Sequence, residues 1–325
     1  LSRDLLIIAR EEVARHLSYA VCIPLMRESM VALAGRRTRQ LLRGIIDLDG
    51  GRAFGVMPGA MLDGTFGAKL ISVFPASVSG APSHQGTITL FHPVDGAPIC
   101  ILDAAEITGI RTASASAAAT DALARRDASS LGILGTGEQA RRHVEAIAEV
   151  RPLQRVLIWG RSAEKADALA SELSDTLSLD VRSVPTPGAA AQADIVCTTT
   201  AANEPLLFGT DIREGTHLNL VGSSRAGPVE VDSELVYRSR FFADHSEGVR
   251  RQGAEFIRAR EEGVISEEHL LGEIGEVMNG SIPGRTSETD ITAYKSLGST
   301  VQDLASGWYL YEQALRLGFG KTVPF

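Results

Sequence analysis

The chain has 325 residues, 44% of them apolar, 22% charged and only 5% aromatic, with a formal net charge of −8 at pH 7. That length suits two domains with cores built on Ala, Val, Leu and Ile, and the acidic balance excludes a protein whose working surface is nucleic acid or anionic lipid. No apolar run reaches the roughly 20 residues of a membrane helix, no secretory signal is expected from the opening residues, and Cys22, Cys100 and Cys197 are scattered without CxxC spacing. A soluble cytoplasmic protein with no membrane or nucleic-acid partner is expected.

Taken in order, residues 5–8 read as a short strand and 11–33 as helix, with Pro24 marking a break. Residues 40–92 alternate short apolar runs with turn signals at Asp49-Gly50-Gly51, Asp63-Gly64 and Asp95-Gly96, the pattern of an antiparallel sheet. Residues 104–124 are rich in Ala, Ser and Thr and lack Pro, which predicts a helix with side chains small enough for close packing. After Ser130 the rhythm changes to strand (131–134), helix (139–150), strand (155–159), helix (163–177) and further strands at 193–198 and 217–221. Strands alternating with helices predict parallel βαβ units to about Gly298. A final amphipathic helix, 301–317, has no strand after it to extend that sheet and is expected to return to the first domain.

Gly135-Thr136-Gly137-Glu138-Gln139-Ala140 follows the 131–134 strand and opens a helix, the G-x-G-x-x-A form of the dinucleotide fingerprint. Gly135 permits the tight turn and Gly137 a close backbone approach to the pyrophosphate. Ala140 keeps helix and strand close, while free N–H groups at the helix start attract the phosphates. The next strand ends Trp159-Gly160-Arg161-Ser162, without the carboxylate that would take a ribose 2′-hydroxyl. Arg161 and Ser162 suit a 2′-phosphate instead, so NADPH is the expected cofactor, with NADH as the alternative. No HExxH or similar spacing predicts a metal.

The sequence also resembles the ornithine cyclodeaminase/mu-crystallin family, with the likeness spread over the whole chain. It is carried by Gly67-Ala68-Lys69, Pro82-Ser83-His84-Gln85-Gly86, Ile110-Arg111-Thr112-Ala113, the fingerprint, Glu204-Pro205-Leu206, Asn219-Leu220-Val221-Gly222 and the ITAYKSLG stretch at 291–298. The resemblance implies an α/β fold: a Rossmann-type doubly wound parallel sheet over 119–298, and a discontinuous α+β substrate and dimerisation domain over 1–118 joined by 299–325. It implies a homodimer and a nicotinamide cofactor between the domains. Lys69, Arg43 and Arg111 match the family's catalytic and substrate-carboxylate cluster, and three cations suit an amino- or imino-acid carboxylate. Lys69 also stands inside an apolar run, where a lysine is costly to bury alone. Ser83, His84 and Arg111 are implied on the cofactor. So are Gly135, Thr136, Gly137, Glu138, Gln139, Gly160, Arg161, Ser162, Thr200, Ala201, Val221, Gly222 and Ser296.

One departure is informative. Ornithine-cyclising members carry an acid just after the Val-Gly, whereas this chain has Ser224 there, and a serine neither acts as a carboxylate base nor pairs with a diamine. The expected reaction is therefore NAD(P)H-dependent reduction of a cyclic α-imino acid, with Arg43 and Arg111 on the carboxylate, Lys69 orienting the carboxylate or assisting protonation of the imine nitrogen, and Ser224 lining the substrate. Lys69 is expected to have a lowered pKa because it sits among arginines. Amino-acid cyclodeamination with bound NAD, and cofactor binding without turnover, are the alternatives.

Overall fold

A computed structural model describes residues 4–62, 64–74 and 84–325, without the side chain of His84. It divides into two units: the chain up to Arg111 together with Ser299–Phe325, and Thr112–Gly298. Asp63 and Ser83 lie outside the described residues.

The first unit begins with β1 (Asp4–Ile8), α1 (Arg10–His16), α2 (Tyr19–Ala34), β2 (Thr38–Gln40), β3 (Gly44–Asp47), β4 (Ala53–Met61), β5 (Phe66–Val73), β6 (His84–Phe91) and β7 (Pro98–Asp103). The expected break at Pro24 is not there: Pro24 lies inside α2. The chain turns instead at buried Leu17, with φ −116° and ψ 72°, and at extended Ser18, which caps α2. Two non-helical residues end a helix, whereas one proline in a packed helix removes a single bond. The β3–β4 hairpin turns through Asp49, Gly50 and Gly51, all at positive φ.

Helix α3 (Ala104–Leu123) leads into the second unit. Ala113, Ser114, Ala115, Ser116, Ala117, Ala118, Ala119 and Thr120 are all buried, which is why this stretch carries small side chains. The second unit holds β8 (Ser130–Leu134), α4 (Glu138–Ala148), β9 (Arg155–Trp159), α5 (Ala163–Leu177), β10 (Asp180–Ser183), α6 (Pro187–Ala190), β11 (Ile195–Thr198) and β12 (His217–Leu220). It continues with α7 (Ser233–Arg238), β13 (Ser239–Ala243), α8 (Ser246–Gln252), α9 (Ala254–Glu261), β14 (Leu270–Glu273), α10 (Ile274–Met278) and β15 (Ile291–Lys295). Its eight strands run in the order β10-β9-β8-β11-β12-β15-β13-β14, every pairing parallel. Strands β8, β11, β12 and β15 are buried at every position, on both faces of the sheet. The order reverses between β8 and β11, the switch point at which such sheets bind ligands beyond the carboxyl ends of their strands.

The chain then returns to the first unit with α11 (Thr300–Leu317) and β16 (Lys321–Pro324). No strand is expected after the last helix in the parallel sheet and none is found there, but β16 was not foreseen: it pairs antiparallel with β1 in the other sheet. That sheet runs β16-β1-β7-β6-β5-β4-β2, with β3 on β4. It is antiparallel except for β1 on β7. Helix α11 packs against α2 and against β4, β5 and β6, burying Val301, Leu304, Leu310 and Ala314.

Candidate active site

In the first unit the site starts from strand alternation. Along β5, Gly67, Lys69 and Ile71 are the buried positions, since successive side chains leave a strand on opposite faces. Gly67 lets α11 approach: a β-carbon there would lie 3.3 Å from a Leu304 methyl and 2.0 Å from the Thr89 carbonyl oxygen. The ammonium of Lys69 therefore meets the start of α11, where Nζ lies 3.3 and 3.4 Å from the two carboxylate oxygens of Asp303. Arg111, in the second turn of α3, donates from Nε to the same carboxylate at 2.9 Å and from Nη1 to Gln302 Oε1 at 3.1 Å. Gln302 Oε1 also accepts from the backbone N–H of Ser299 at 3.3 Å, and the Ser299 hydroxyl donates to Gln40 at 2.7 Å.

All four members, Lys69, Arg111, Gln302 and Asp303, are buried. Two cations sharing one carboxylate leave net positive charge out of water, a costly arrangement when no anion completes it. Burial is the largest cause bringing the Lys69 ammonium from 10.5 down to about 8; the Asp303 charge opposes the fall, and the Arg111 and Arg43 charges add to it. The neighbouring arginines expected to lower it do so, but desolvation is the larger cause. Half-buried Arg43 follows β2 in the irregular 41–43 segment, close enough for its charge to register at Lys69. The structure thus brings Lys69, Arg111 and Arg43 together and adds Asp303 and Gln302, which sequence reasoning missed. The available signal was a glutamine and an aspartate in the first turn of the amphipathic helix α11, on the side that its apolar residues bury. His84 is the first residue of β6.

The second unit carries the fingerprint at the carboxyl end of β8. Gly135 has φ 130°, and a β-carbon there would meet the Thr199 hydroxyl at 2.6 Å and carbonyl oxygen at 2.9 Å. Its N–H donates to the Trp159 carbonyl at 2.8 Å, tying the ends of β8 and β9 together. Gly137 caps α4, and nothing lies within 4 Å of where its β-carbon would stand, so open space faces a helix start flanked by Glu138 and Gln139. Buried Ala140 holds α4 against the sheet. A β-carbon on Gly160 would strike the Thr136 methyl at 2.4 Å. Arg161 is exposed, while the Ser162 oxygen caps α5 by accepting from the Lys165 N–H at 3.3 Å, keeping its proton to donate.

Beyond β11 and β12 the loops are pinned. Thr200 N–H and hydroxyl both donate to Glu230 Oε1, at 2.6 and 2.7 Å, so that side chain is committed inward; Ala201 beside it is exposed. Val221 and Gly222 follow β12, with Gly222 packed so closely that a β-carbon would sit 2.1 Å from the Thr200 carbonyl oxygen. Ser224 is half-buried. Ser296, after β15, is buried and its hydroxyl has no hydrogen-bond partner among the described residues, and Asp244 fixes the adjoining turn by accepting from Leu297 and Gly298 N–H at 2.8 and 2.6 Å. Glycines that admit no side chain, open space at a helix N-terminus and an orphaned hydroxyl all fit a bound dinucleotide. Among the described residues no His, Cys, Asp and Glu cluster fit to hold a metal is found.

Known proteins share this construction. The mouse (Mus musculus) ketimine reductase mu-crystallin is 32% identical over 313 residues, covering 94% of this chain and 96% of its own. The structure of the Thermococcus litoralis Δ1-pyrroline-2-carboxylate reductase with NADH and L-proline superimposes with a TM-score of 0.95 at 33% identity, over 98% of this chain and all of that one. An archaeal alanine dehydrogenase dimer with bound NAD gives 0.94 at 27% identity, over 99% and 100%. The family profile itself matches residues 4–317. With the doubly wound sheet, the fingerprint and a match from end to end, the chain belongs to the ornithine cyclodeaminase/mu-crystallin family.

Proposed function

We propose that the protein is a nicotinamide-dependent reductase of cyclic α-imino acids, with NADPH as its preferred cofactor, working as a homodimer. The observation that carries the reaction is the buried Lys69–Asp303–Arg111 cluster, read together with relatives that reduce pyrroline-2-carboxylate and other ketimines. Gly135, Gly137, Gly160, Val221, Gly222 and Ser296 would hold the dinucleotide, which when bound would supply the hydride.

The chain's own groups do the rest. Arg111 spends Nε on Asp303 and one Nη1 hydrogen on Gln302, which leaves Nη2 to bind the substrate carboxylate together with Arg43. That clamp fixes the C=N carbon, and positioning of this kind supplies several kcal/mol of barrier lowering, about 11 at its most effective. Lys69, near 8, is protonated at neutral pH yet gives its proton up readily, so it suits protonation at the imine nitrogen, which an acceptor of hydride needs. Asp303 holds that proton in place. Ser224, in the position of the cyclodeaminases' acid, weighs against ornithine as substrate.

NADPH preference rests on exposed Arg161 and the free proton of Ser162 at the end of β9. Dimerisation is supported by the dimeric neighbour and by exposed Leu41, Ile45 and Ile46 on the first unit. The test is cofactor oxidation, followed by loss of nicotinamide absorbance, with Δ1-pyrroline-2-carboxylate and the six-membered Δ1-piperideine-2-carboxylate. Turnover of either ring, faster with NADPH than with NADH, supports the reading. No turnover with either ring and either cofactor overturns it.

A further inference from the structure

Glu230 lies between β12 and α7, carries no catalytic role above, and is only 1% exposed. Its carboxylate collects four donors. Oε1 accepts from the Thr200 N–H at 2.6 Å and hydroxyl at 2.7 Å, and Oε2 from the Thr198 hydroxyl at 2.7 Å and the Gly222 N–H at 2.8 Å. Thr198 ends β11, and Gly222 follows β12, the neighbouring strand. One carboxylate therefore fastens two successive strand-end loops. Each of its oxygens faces a backbone N–H, a group that only donates, which suits the ionised form.

The charges around it do not cancel. Lys295, fully buried at the end of β15, lies 2.7 Å from Glu255 Oε2 and donates to the Ser223 carbonyl at 2.7 Å. Glu255 Oε1 in turn accepts from the Glu230 N–H at 3.4 Å. Two buried carboxylates thus share one ammonium, and the group carries a net charge of −1 when all three are ionised. Burial raises the Glu230 carboxyl above its ordinary value, while the Lys295 charge, the Thr198 and Thr200 hydroxyls and the Thr200 N–H oppose the rise. In a sheet of this order the adenosine half lies over β8, β9 and β10, and the second mononucleotide over β11 and β12. The net negative charge therefore underlies the backbone that meets the nicotinamide half.

We infer that Glu230 is a positioning residue for the nicotinamide end of the site: it ties the loops after β11 and β12 together and sets a negative charge beneath them that favours the oxidised, cationic ring over the reduced, neutral one. The inference rests on the dinucleotide reading above and assigns that site a bias. A fixed charge of this sign also assists hydride donation, because the ring gains positive charge as the hydride leaves.

The test measures binding rather than turnover. Dissociation constants for NADP+ and NADPH, and for NAD+ and NADH, are taken by calorimetry or fluorescence for the wild-type protein, Glu230→Gln and Glu255→Gln. Both variants neutralise the surplus charge, but Glu255→Gln leaves the four loop bonds intact. The expected result is a rise of at least about threefold in the ratio of oxidised-form to reduced-form dissociation constants in each variant. Glu230→Gln should also weaken both forms by about tenfold, since its amide sets a donor against a donor. An unchanged ratio in folded Glu230→Gln and Glu255→Gln overturns the inference; if Glu230→Gln does not fold, the ratio in Glu255→Gln decides alone. Wild-type protein that binds none of the four nucleotides overturns the dinucleotide reading itself, a different failure from binding with an unmoved ratio.

Discussion

Lys69 and Asp303, 234 positions apart in the chain, meet as a buried pair in which one ammonium straddles both oxygens of one carboxylate at 3.3 and 3.4 Å. The contacts are long for charge-assisted bonds, and Asp303 gives its shorter bond, 2.9 Å, to Arg111. Lys69 is thus held in place without being saturated, and its proton remains available.

The first prediction concerns pH. With Lys69 near 8 and its protonated form required, kcat/KM for imine reduction should fall as pH rises through about 8. Asp303 raises the Lys69 pKa, so Asp303→Asn should move this limb to lower pH and cut kcat/KM by about tenfold or more. A pH profile of both proteins decides; an unmoved limb in Asp303→Asn contradicts the pairing.

Lys69→Met should remove the acid and lower kcat/KM by about 100-fold or more. Stability should move the other way with pH. The folded-state value lies below the ordinary 10.5, so the unfolded chain binds more protons between about 8 and 10.5, and this group's contribution to stability rises across that window. Denaturant titrations from pH 8 to 10 should show a shallower rise in Lys69→Met than in the wild type.

Gly137→Ala separates folding from binding. No atom lies within 4 Å of the added methyl, so the melting temperature should fall by no more than about 4 °C. On the dinucleotide reading proposed above, the same methyl would stand in the approach of the pyrophosphate, and dinucleotide affinity should drop by about tenfold or more. Thermal melts and nucleotide titrations on one preparation check both halves. Gly135→Ala, at φ 130° and hard against Thr199, should instead lose stability and binding together.

Arg161→Ala should weaken NADPH by about tenfold or more and leave NADH nearly unchanged, because a 2′-phosphate loses a charge-assisted partner and a hydroxyl does not. Equal losses for the two cofactors would deny Arg161 the phosphate.

Acid should unfold the second unit through its histidines. His143 donates or accepts at 2.7 Å to the Gln139 carbonyl and 2.9 Å to the Ser116 hydroxyl, and burial drives it from 6.5 down to about 4. The folded value is depressed, so the stability it contributes is complete above 6.5 and is lost as pH falls through about 4. Melting temperatures between pH 7 and 4 should fall less steeply in His143→Gln than in the wild type.

The sequence by itself determined what local chemistry and periodicity can express. Apolar runs in β8, β9 and β11 marked parallel strands, Gly135-Thr136-Gly137 marked a turn that a side chain would block, and the apolar run around Lys69 marked a lysine that needed a partner. It also carried enough family motifs to name the family. Only the tertiary structure decided who that partner was, since Asp303 and Gln302 reach Lys69 and Arg111 through helix packing across 191 or more positions in the chain. The same holds for Glu230, whose meaning lies in loops that come together only when β11 and β12 pair. Strand β16 escaped notice because four residues at the end of a chain have no pattern of their own and become a strand only where β1 offers an open edge. Side-chain type and spacing are local properties; desolvation, which sets the Lys69 proton, depends on everything packed around it.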